Sequence, residues 1–232
     1  MSETSSAGEQ PPVPAPTSSV RLIATLGVIA LISGLLIVSV VEWTRPMIDE
    51  NREQMRQEAI REVIPGASQF RDYVLTDAGL RPAAEAEVPG PLIHLGYNEA
   101  GELQGAALEA SGRGYEDVIR ILYGYDPACE CVLGMEVIES QETPGLGDRI
   151  EDDPQFHASI EGLDLSLDER RDGLAHAVRV VDPGESEAPG EIDGITGATV
   201  SAEAIGAMIH DSAERLLPRL DPYWPDVKGI EE

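Results

Sequence analysis

Hydrophobic residues form one long uninterrupted run near the beginning of the chain and only short runs after it. Residues 22–41 contain no charged side chain and consist mostly of Leu, Ile, Val, Ala and Gly. A helix of about 20 residues at ~1.5 Å per residue is ~30 Å long, which matches the hydrocarbon thickness of a bilayer. The run ends at Glu42 and Trp43 without the small residues that mark a signal-peptide cleavage site. We therefore predict an uncleaved transmembrane helix over residues 20–43, with Trp43 at the membrane interface.

The segments on either side of this span have different patterns. Residues 1–19 are rich in Ser, Pro, Glu and Gly, which predicts a disordered tail. Residues 44–66 carry a mixed apolar stripe at helical spacing that stops at Pro65 and Gly66. This segment is predicted to continue the membrane helix, either as a stalk or as the first helix of the domain that follows.

Short apolar runs separated by polar turns indicate β-strands from about residue 70 to residue 140. Residues 92–97 and 103–108 flank the polar turn Asn98–Gly101, which is typical of a hairpin. Further strands are predicted at Val118–Tyr123, Val132–Ile138 and Ala175–Val181.

Helices are expected mainly at the two ends of this strand-rich region, which favours the α+β class. We predict a single domain over residues 67–220, with a mainly antiparallel sheet and flanking helices. An acidic C-terminal tail over residues 221–232 is expected to follow it.

The pattern changes to helical spacing after the stretch Asp193–Ser201, which reads Asp-Gly-Ile-Thr-Gly-Ala-Thr-Val-Ser. This stretch predicts a tight turn that leads into a helix, with Thr199 and Ser201 as candidate N-cap residues. The unpaired N–H groups at such a helix start suit a phosphate. The alternative is an ordinary capped helix without a ligand. A nucleotide P-loop fits poorly, because no Lys follows the glycines.

Part of this stretch resembles the flavinylation motif D-x-x-[ST]-G-A-[ST] of the covalent FMN-binding domain family. In that family a flavin transferase joins FMN to the last Thr of the motif through a phosphoester. The resemblance implies that the acceptor here is Thr199. Ser201, the other N-cap candidate, is also expected among the cofactor-binding residues. The recognition positions of the motif are matched by Asp193, Thr196, Gly197 and Ala198.

A second run, Glu142–Asp148, reads Glu-Thr-Pro-Gly-Leu-Gly-Asp and by itself predicts a rigid turn. It also matches the E-T-P-G-L-G signature of the same FMN-bearing proteins. We therefore expect this loop to lie against the flavin ring, although it is distant from Thr199 in sequence; the alternative is a loop that merely joins a strand to the next helix. The cofactor-binding residues expected from it are Glu142, Thr143, Gly145, Leu146 and Gly147.

Taken together, these motifs resemble the RnfG family of the Rnf electron-transport complexes, with the NqrC family of the sodium-translocating NADH:quinone reductases as the alternative. The resemblance implies a single-pass flavoprotein of the bacterial inner membrane that relays electrons through covalent FMN. The complex to which it belongs would couple electron transfer between ferredoxin and NAD to ion translocation. It implies neighbouring subunits, the lipid bilayer and a flavin transferase as partners, and no catalytic residues of the chain's own. An anchored scaffold domain that lacks flavin is the hypothesis of a different class.

The resemblance and the charge pattern disagree about the orientation in the membrane. The resemblance implies that the domain lies on the periplasmic side. Only Arg21 precedes the span, however, and several arginines follow it, which by the positive-inside rule favours a cytoplasmic domain. These later arginines are Arg45, Arg52, Arg56 and Arg61.

Charge and composition exclude other functions. The formal net charge is −27, with 43 acidic and 16 basic residues. Nucleic acid is therefore not an expected partner, because binding a phosphate backbone needs a basic surface. The spread of acidic residues is typical of a salt-adapted surface, with an acidic face for a basic partner as the alternative.

The cysteines and histidines do not form a recognisable metal site. The four histidines are scattered singly, and no metal is expected. In an extended strand Cys129 and Cys131 would lie ~6.6 Å apart on the same face. A disulfide between them would need a bend, so the sequence leaves open whether they are free or bridged.

Overall fold

The computed structural model describes residues 19–86 and 88–227, in two compact units that divide at residues 51 and 52. Helix α1 comprises Ser19–Val63 and contains Pro46. Its segment Ser19–Ile48 is long and apolar enough to cross a membrane. The helix ends just before Pro65 and Gly66, as predicted, and Gly66 has a φ of 88°. The predicted disordered tail, apart from Ser19, lies outside the described residues.

The second unit is built on a six-stranded sheet in which every pair of neighbouring strands is antiparallel. This confirms the predicted antiparallel sheet and the hairpin around Asn98. The Asn98 side chain accepts hydrogen bonds from the N–H groups of Ala100 and Glu102, at 3.0 and 2.9 Å, which closes the turn. The strand order is β2-β1-β3-β4-β5-β6. The strands are β1 (Gln69–Thr76), β2 (Gly79–Pro82), β3 (Leu92–Tyr97), β4 (Leu103–Arg113), β5 (Val118–Asp126) and β6 (Cys131–Glu139).

The remaining elements follow the sheet in the chain, and the longest of them packs on one face of it. They are α2 (Pro154–Ile160), β7 (Arg179–Val181), β8 (Glu191–Asp193), α3 (Thr199–Leu220) and α4 (Trp224–Val227). The apolar side of α3 contributes Ile205, Met208, Ile209 and Leu216 to the main core beneath the sheet. The predicted helical spacing after residue 199 is thereby confirmed.

The other face of the sheet is covered in part by the last turns of α1. Ile60 and Val63 form a second, smaller core with Ala107 of β4 and Leu122 of β5. A Cβ atom at Gly124 would overlap the carbonyl oxygen of Val63, so glycine permits this close approach of helix and strand.

The strand predicted at Ala175–Val181 is wrong for its first four residues, since only Arg179–Val181 is a strand. Ala175 instead donates its N–H to the Ser166 carbonyl oxygen at 2.8 Å, and the His176 ring lies 3.7 Å from the Asp164 carboxylate. These contacts hold residues 175 and 176 against the segment 164–166. The short strand β7 pairs in parallel with β8.

The predicted C-terminal tail also differs from the structure. Residues 221–227 form a 3-10 turn and α4 rather than a free tail. Trp224 and Val227 are buried, and the Trp224 ring lies 5.9 Å from that of Tyr125. Burial of these two apolar side chains attaches the segment to the domain. Residues 228–232 lie outside the described part of the chain.

Cys129 and Cys131 form a disulfide with a Cα–Cα distance of 5.2 Å. The bend that this bridge requires comes from the turn between β5 and β6. Glu130, between the two cysteines, has a left-handed φ of 53°, which brings the neighbouring Cα atoms closer than an extended strand would.

Candidate functional site

The first turn of α3 is not capped by a side chain. The N-cap position is Ala198, Thr199 is the first helical residue, and no side-chain hydrogen bond caps the helix. The prediction that Thr199 or Ser201 caps the helix is therefore wrong. Ser201 lies inside the first turn, where its hydroxyl donates to the Glu142 carboxylate instead. Because the first N–H groups of a helix lack partners within it, this terminus can receive an acceptor from a ligand.

A cavity of about 320 Å³ opens at this terminus. Thr199 borders it and is exposed, whereas the Ser201 side chain that also borders it is buried. The loop 142–148 forms the opposite wall, so the fold brings together the two segments that the sequence singled out. The cavity is lined by Tyr115, Thr143, Leu146, Gly147, Gly197, Ala198, Thr199, Val200 and Ser201.

Glu142 does not line the cavity but fastens its walls together. Its carboxylate is buried and accepts hydrogen bonds from the N–H groups of Tyr115 and Glu116, at 3.3 and 3.0 Å, and from the Ser201 hydroxyl. Burial alone would raise the pKa of Glu142, but the hydrogen bonds from Ser201 and from these backbone groups outweigh it and leave the pKa below its ordinary value. One ionised carboxylate therefore joins the turn after β4, the loop 142–148 and the start of α3.

Gly147 leaves the room that this carboxylate needs. A Cβ atom at this position would overlap the Glu142 carboxylate and lie 2.9 Å from the Ser201 hydroxyl oxygen. Gly145, by contrast, has open space around it, a left-handed φ of 78°, and an N–H group that donates to the Asp148 carboxylate at 2.7 Å. It shapes the turn without lining the cavity.

Two residues of the flavinylation motif, Asp193 and Thr196, do not line the cavity. They make hydrogen bonds that fix the chain segments around it. The Asp193 carboxylate accepts hydrogen bonds from the N–H groups of Gly184 and Ser186, at 2.9 and 3.0 Å. Burial would raise the pKa of Asp193, but hydrogen bonds led by that of Ser186 lower it overall. The Thr196 carbonyl oxygen accepts a hydrogen bond of 2.8 Å from Arg149.

Arg149 contributes to this region although it belongs to neither motif. Its guanidinium donates to the Thr196 carbonyl oxygen and, at 2.6 Å, to the Asp153 carboxylate. It thereby ties the 3-10 turn Gly147–Glu151, which follows the loop, to the motif before α3. A signal was present in the sequence, because Arg149 is the single basic residue between Glu139 and Asp153.

The cavity also presents apolar side chains to solvent. Tyr115 is 69% exposed, Leu146 54% and Val200 49%. Together with the uncapped helix start, these surfaces fit a ligand that has a phosphate at one end and a flat, largely apolar ring at the other. FMN has this combination. Within the described residues, no group of three or more His, Cys, Asp or Glu side chains is placed to hold a metal ion.

Comparison with known proteins gives consistent results. Residues 114–214 match the sequence model of a family described as the FMN-binding domain. The G subunit of the ion-translocating oxidoreductase complex of Pasteurella multocida is 31% identical over 84% of this chain and 92% of its own length. The protein of the same name from Methanosarcina acetivorans is 25% identical over the same shares of the two chains.

Solved structures show the same fold at lower sequence identity. The crystal structure of Shewanella oneidensis NqrC aligns with a TM-score of 0.55 at 15% identity, over 78% of this chain and 99% of that one. The C subunit of the Na⁺-translocating NADH-quinone reductase from Parabacteroides distasonis aligns with a TM-score of 0.54 at 18% identity, over 78% and 94%.

Proposed function

Because this chain belongs to the RnfG family of the ion-translocating oxidoreductase complexes, we propose that it carries FMN joined covalently to Thr199. It is a flavoprotein subunit of an Rnf-type complex, and its FMN-binding domain includes both Thr199 and the loop 142–148. When bound, FMN supplies a carrier of one or two electrons, and the role of the protein is to hold and tune it.

The observation that carries the proposal is the position of Thr199. It is exposed, it borders the cavity, and it is the first residue of a helix that no side chain caps. A phosphoester on its hydroxyl would place phosphate oxygens beside the free N–H groups of the helix start. Ser201 is a poor acceptor because its side chain is buried and its hydroxyl is engaged with Glu142. Thr196 is exposed but does not line the cavity.

The opposite wall would hold the ring. Leu146 and Tyr115 offer exposed apolar surface, and the loop backbone beside them can present polar groups to the ring edge. A site of this kind leaves part of the ring open, which electron transfer to a neighbouring protein requires. Glu142 and Arg149 would hold the walls in place through their hydrogen bonds to Ser201 and Thr196.

We further propose that α1 anchors the protein in the bacterial inner membrane with the domain on the periplasmic side. The apolar length of Ser19–Ile48 supports the anchor. The orientation rests on the family resemblance, against the arginines that follow the span. Maturation by a flavin transferase and contact with other subunits of the complex belong to the same proposal.

The test is the flavin content of variants after denaturation. Flavin fluorescence is expected to stay with the wild-type band on a denaturing gel and to be absent from Thr199→Ala, because alanine lacks the ester oxygen. Loss of one hydroxyl on an exposed helix start should change stability by no more than ~1 kcal/mol, so the variant should fold. Ser111→Ala removes an exposed hydroxyl outside both motifs; it is the control and should retain the fluorescence.

Either of two results would contradict this assignment. A fluorescent Thr199→Ala band together with a dark Thr196→Ala band would move the acceptor to Thr196. A wild-type band without flavin, from cells that flavinylate other proteins, would favour the anchored scaffold.

A further inference from the structure

A second cavity, of about 720 Å³, lies on the face of the sheet opposite to α3. His94 on β3 pairs with Ala107 on β4, and Ala107 packs against the end of α1. Side chains of directly paired residues point to the same face, so His94 faces the α1 side. Asp72 on β1 pairs with His94 and shares this face. The cavity is therefore separate from the site around Thr199.

The polar centre of this cavity is a buried histidine held by a carboxylate. His94 is only 3% exposed, and its Nδ1 lies 2.6 Å from the Asp72 carboxylate, whose side chain is 53% exposed. A carboxylate at this distance is placed to accept a hydrogen bond from Nδ1, and in the tautomer that donates this bond Nε2 is an acceptor. In the described part of the chain Nε2 makes no hydrogen bond, so it is available to a ligand donor.

A positive charge borders the same cavity from α1. Arg61 lies in the last turn of the helix and is exposed. It forms neither an ion pair nor a hydrogen bond with any described residue, although acidic residues outnumber basic ones 43 to 16. The cavity is also bordered by Arg71 and Tyr73 of β1. They contribute mainly their backbone to its lining, because alternate residues of a strand point to opposite faces and Asp72 points to this one.

The rest of the lining includes the apolar residues Ile60, Phe70 and Pro82, together with the polar residues Gln57 and Ser68. The cavity thus combines an acceptor, a cation and hydrophobic surface. This is the usual composition of a small-molecule site, in which few polar groups fix the orientation of a mostly apolar ligand.

We propose that this cavity is a second ligand site, which binds a small organic acid with an apolar body and a hydroxyl group. The carboxylate or other anionic group would pair with Arg61. The hydroxyl would donate to Nε2 of His94, while Asp72 keeps the proton on Nδ1. The site is independent of the flavin proposal, since it shares no residue with the cavity at Thr199.

The experiment uses the full-length flavinylated protein in detergent and three probes of nearly equal size. The probes are 4-hydroxybenzoate, benzoate, which lacks the hydroxyl, and 4-hydroxybenzamide, which lacks the charge. Affinity is measured by calorimetry, and the His94 ring is followed through its ¹⁵N and ¹³C resonances. We expect 4-hydroxybenzoate to bind with the highest affinity, benzoate about 2- to 10-fold more weakly and the amide about 10-fold more weakly.

Substitutions test whether 4-hydroxybenzoate binds in the cavity beside Arg61. Arg61→Gln should weaken 4-hydroxybenzoate about 10-fold and leave the uncharged amide unchanged. Arg170→Gln, at another exposed arginine, is the matched control and should not change either affinity. The His94 Nε2 resonance of the wild type should move on binding, which tests the histidine without a substitution that risks the fold.

The proposal would be overturned by any of three results. These are no binding of 4-hydroxybenzoate up to about 10 mM, equal loss of affinity in Arg61→Gln and Arg170→Gln, or binding that leaves the His94 resonances unmoved.

Discussion

Glu142 holds a buried negative charge between three chain segments at the cavity of Thr199. The pKa of its carboxyl is lowered in the folded protein from an ordinary value of 4.5. The ionised form therefore stabilises the fold, fully at pH values above the unfolded pKa and progressively less as the pH falls through the folded pKa. Replacing it with Gln keeps the shape but removes the charge that Ser201 and the backbone N–H groups bind.

We predict that Glu142→Gln lowers the free energy of unfolding by ~1–3 kcal/mol at neutral pH. The difference from the wild type should begin to shrink below about pH 4.5, the ordinary carboxyl pKa, and should be smallest once the folded wild-type carboxyl is also neutral. Urea unfolding between about pH 7 and pH 3 measures both effects. Glu161→Gln, at an exposed side chain, serves as the control and should change little. A Glu142→Gln deficit that stays constant across this range would contradict the assigned ionisation.

At the scale of elements, the turn between β5 and β6 is linked to the C-terminal segment. The Glu130 carboxylate accepts hydrogen bonds from Arg171, at 2.8 Å, and from the Leu167 N–H, at 3.3 Å, while its carbonyl oxygen accepts the Leu165 N–H at 2.9 Å. Arg171 also pairs with Asp221, with Nε 2.6 Å from the carboxylate. Glu130, which the disulfide holds in a left-handed conformation, therefore connects the turn to Leu165, Leu167 and Arg171. Through Arg171 it is also connected to Asp221.

We predict that replacing both Cys129 and Cys131 with Ser loosens these contacts. The disulfide closes a very short loop, so its removal should cost only ~1–2 kcal/mol. Amide hydrogen exchange at Leu165 and Leu167 should become faster, because Glu130 is then free to leave the left-handed region. The Ala107 amide in the centre of the sheet is the internal control and should keep its rate. Unchanged exchange at Leu165 and Leu167 would show that the turn holds its shape without the disulfide.

At the scale of the whole molecule, negative charge dominates the domain. Residues 1–41 contain Glu3, Glu9 and Arg21 and contribute −1, which leaves −26 of the total −27 for residues 42–232. The described ion pairs involve only part of the acidic side chains, so most of this charge repels itself across the surface.

We predict that the melting temperature rises as sodium chloride is added up to about 1 M, where the Debye length falls to ~3 Å. Potassium chloride at equal ionic strength should have the same effect, because screening does not depend on the identity of the monovalent cation. A melting temperature that stays constant or falls would argue against salt adaptation and would favour an acidic face reserved for a basic partner.

The sequence by itself determined the features that depend on neighbours along the chain. The apolar run of the span, the hairpin around Asn98 and the helix after Thr199 each follow from local periodicity and turn chemistry, which act over a few residues. The two motifs also pointed to Thr199 and to the loop 142–148. Arg149 was visible only as an isolated basic residue in an acidic stretch.

The tertiary structure decided what depends on distant residues meeting. No local pattern shows that the helix begins at Thr199, or that Ser201, inside the first turn, gives its hydroxyl to Glu142. The disulfide depends on a turn, since an extended strand would have kept the cysteines apart. Trp224 is buried in the main core, where its ring contacts that of Tyr125. Such contacts are set by how the faces of the sheet and the helices pack, and sequence neighbours carry little information about that packing.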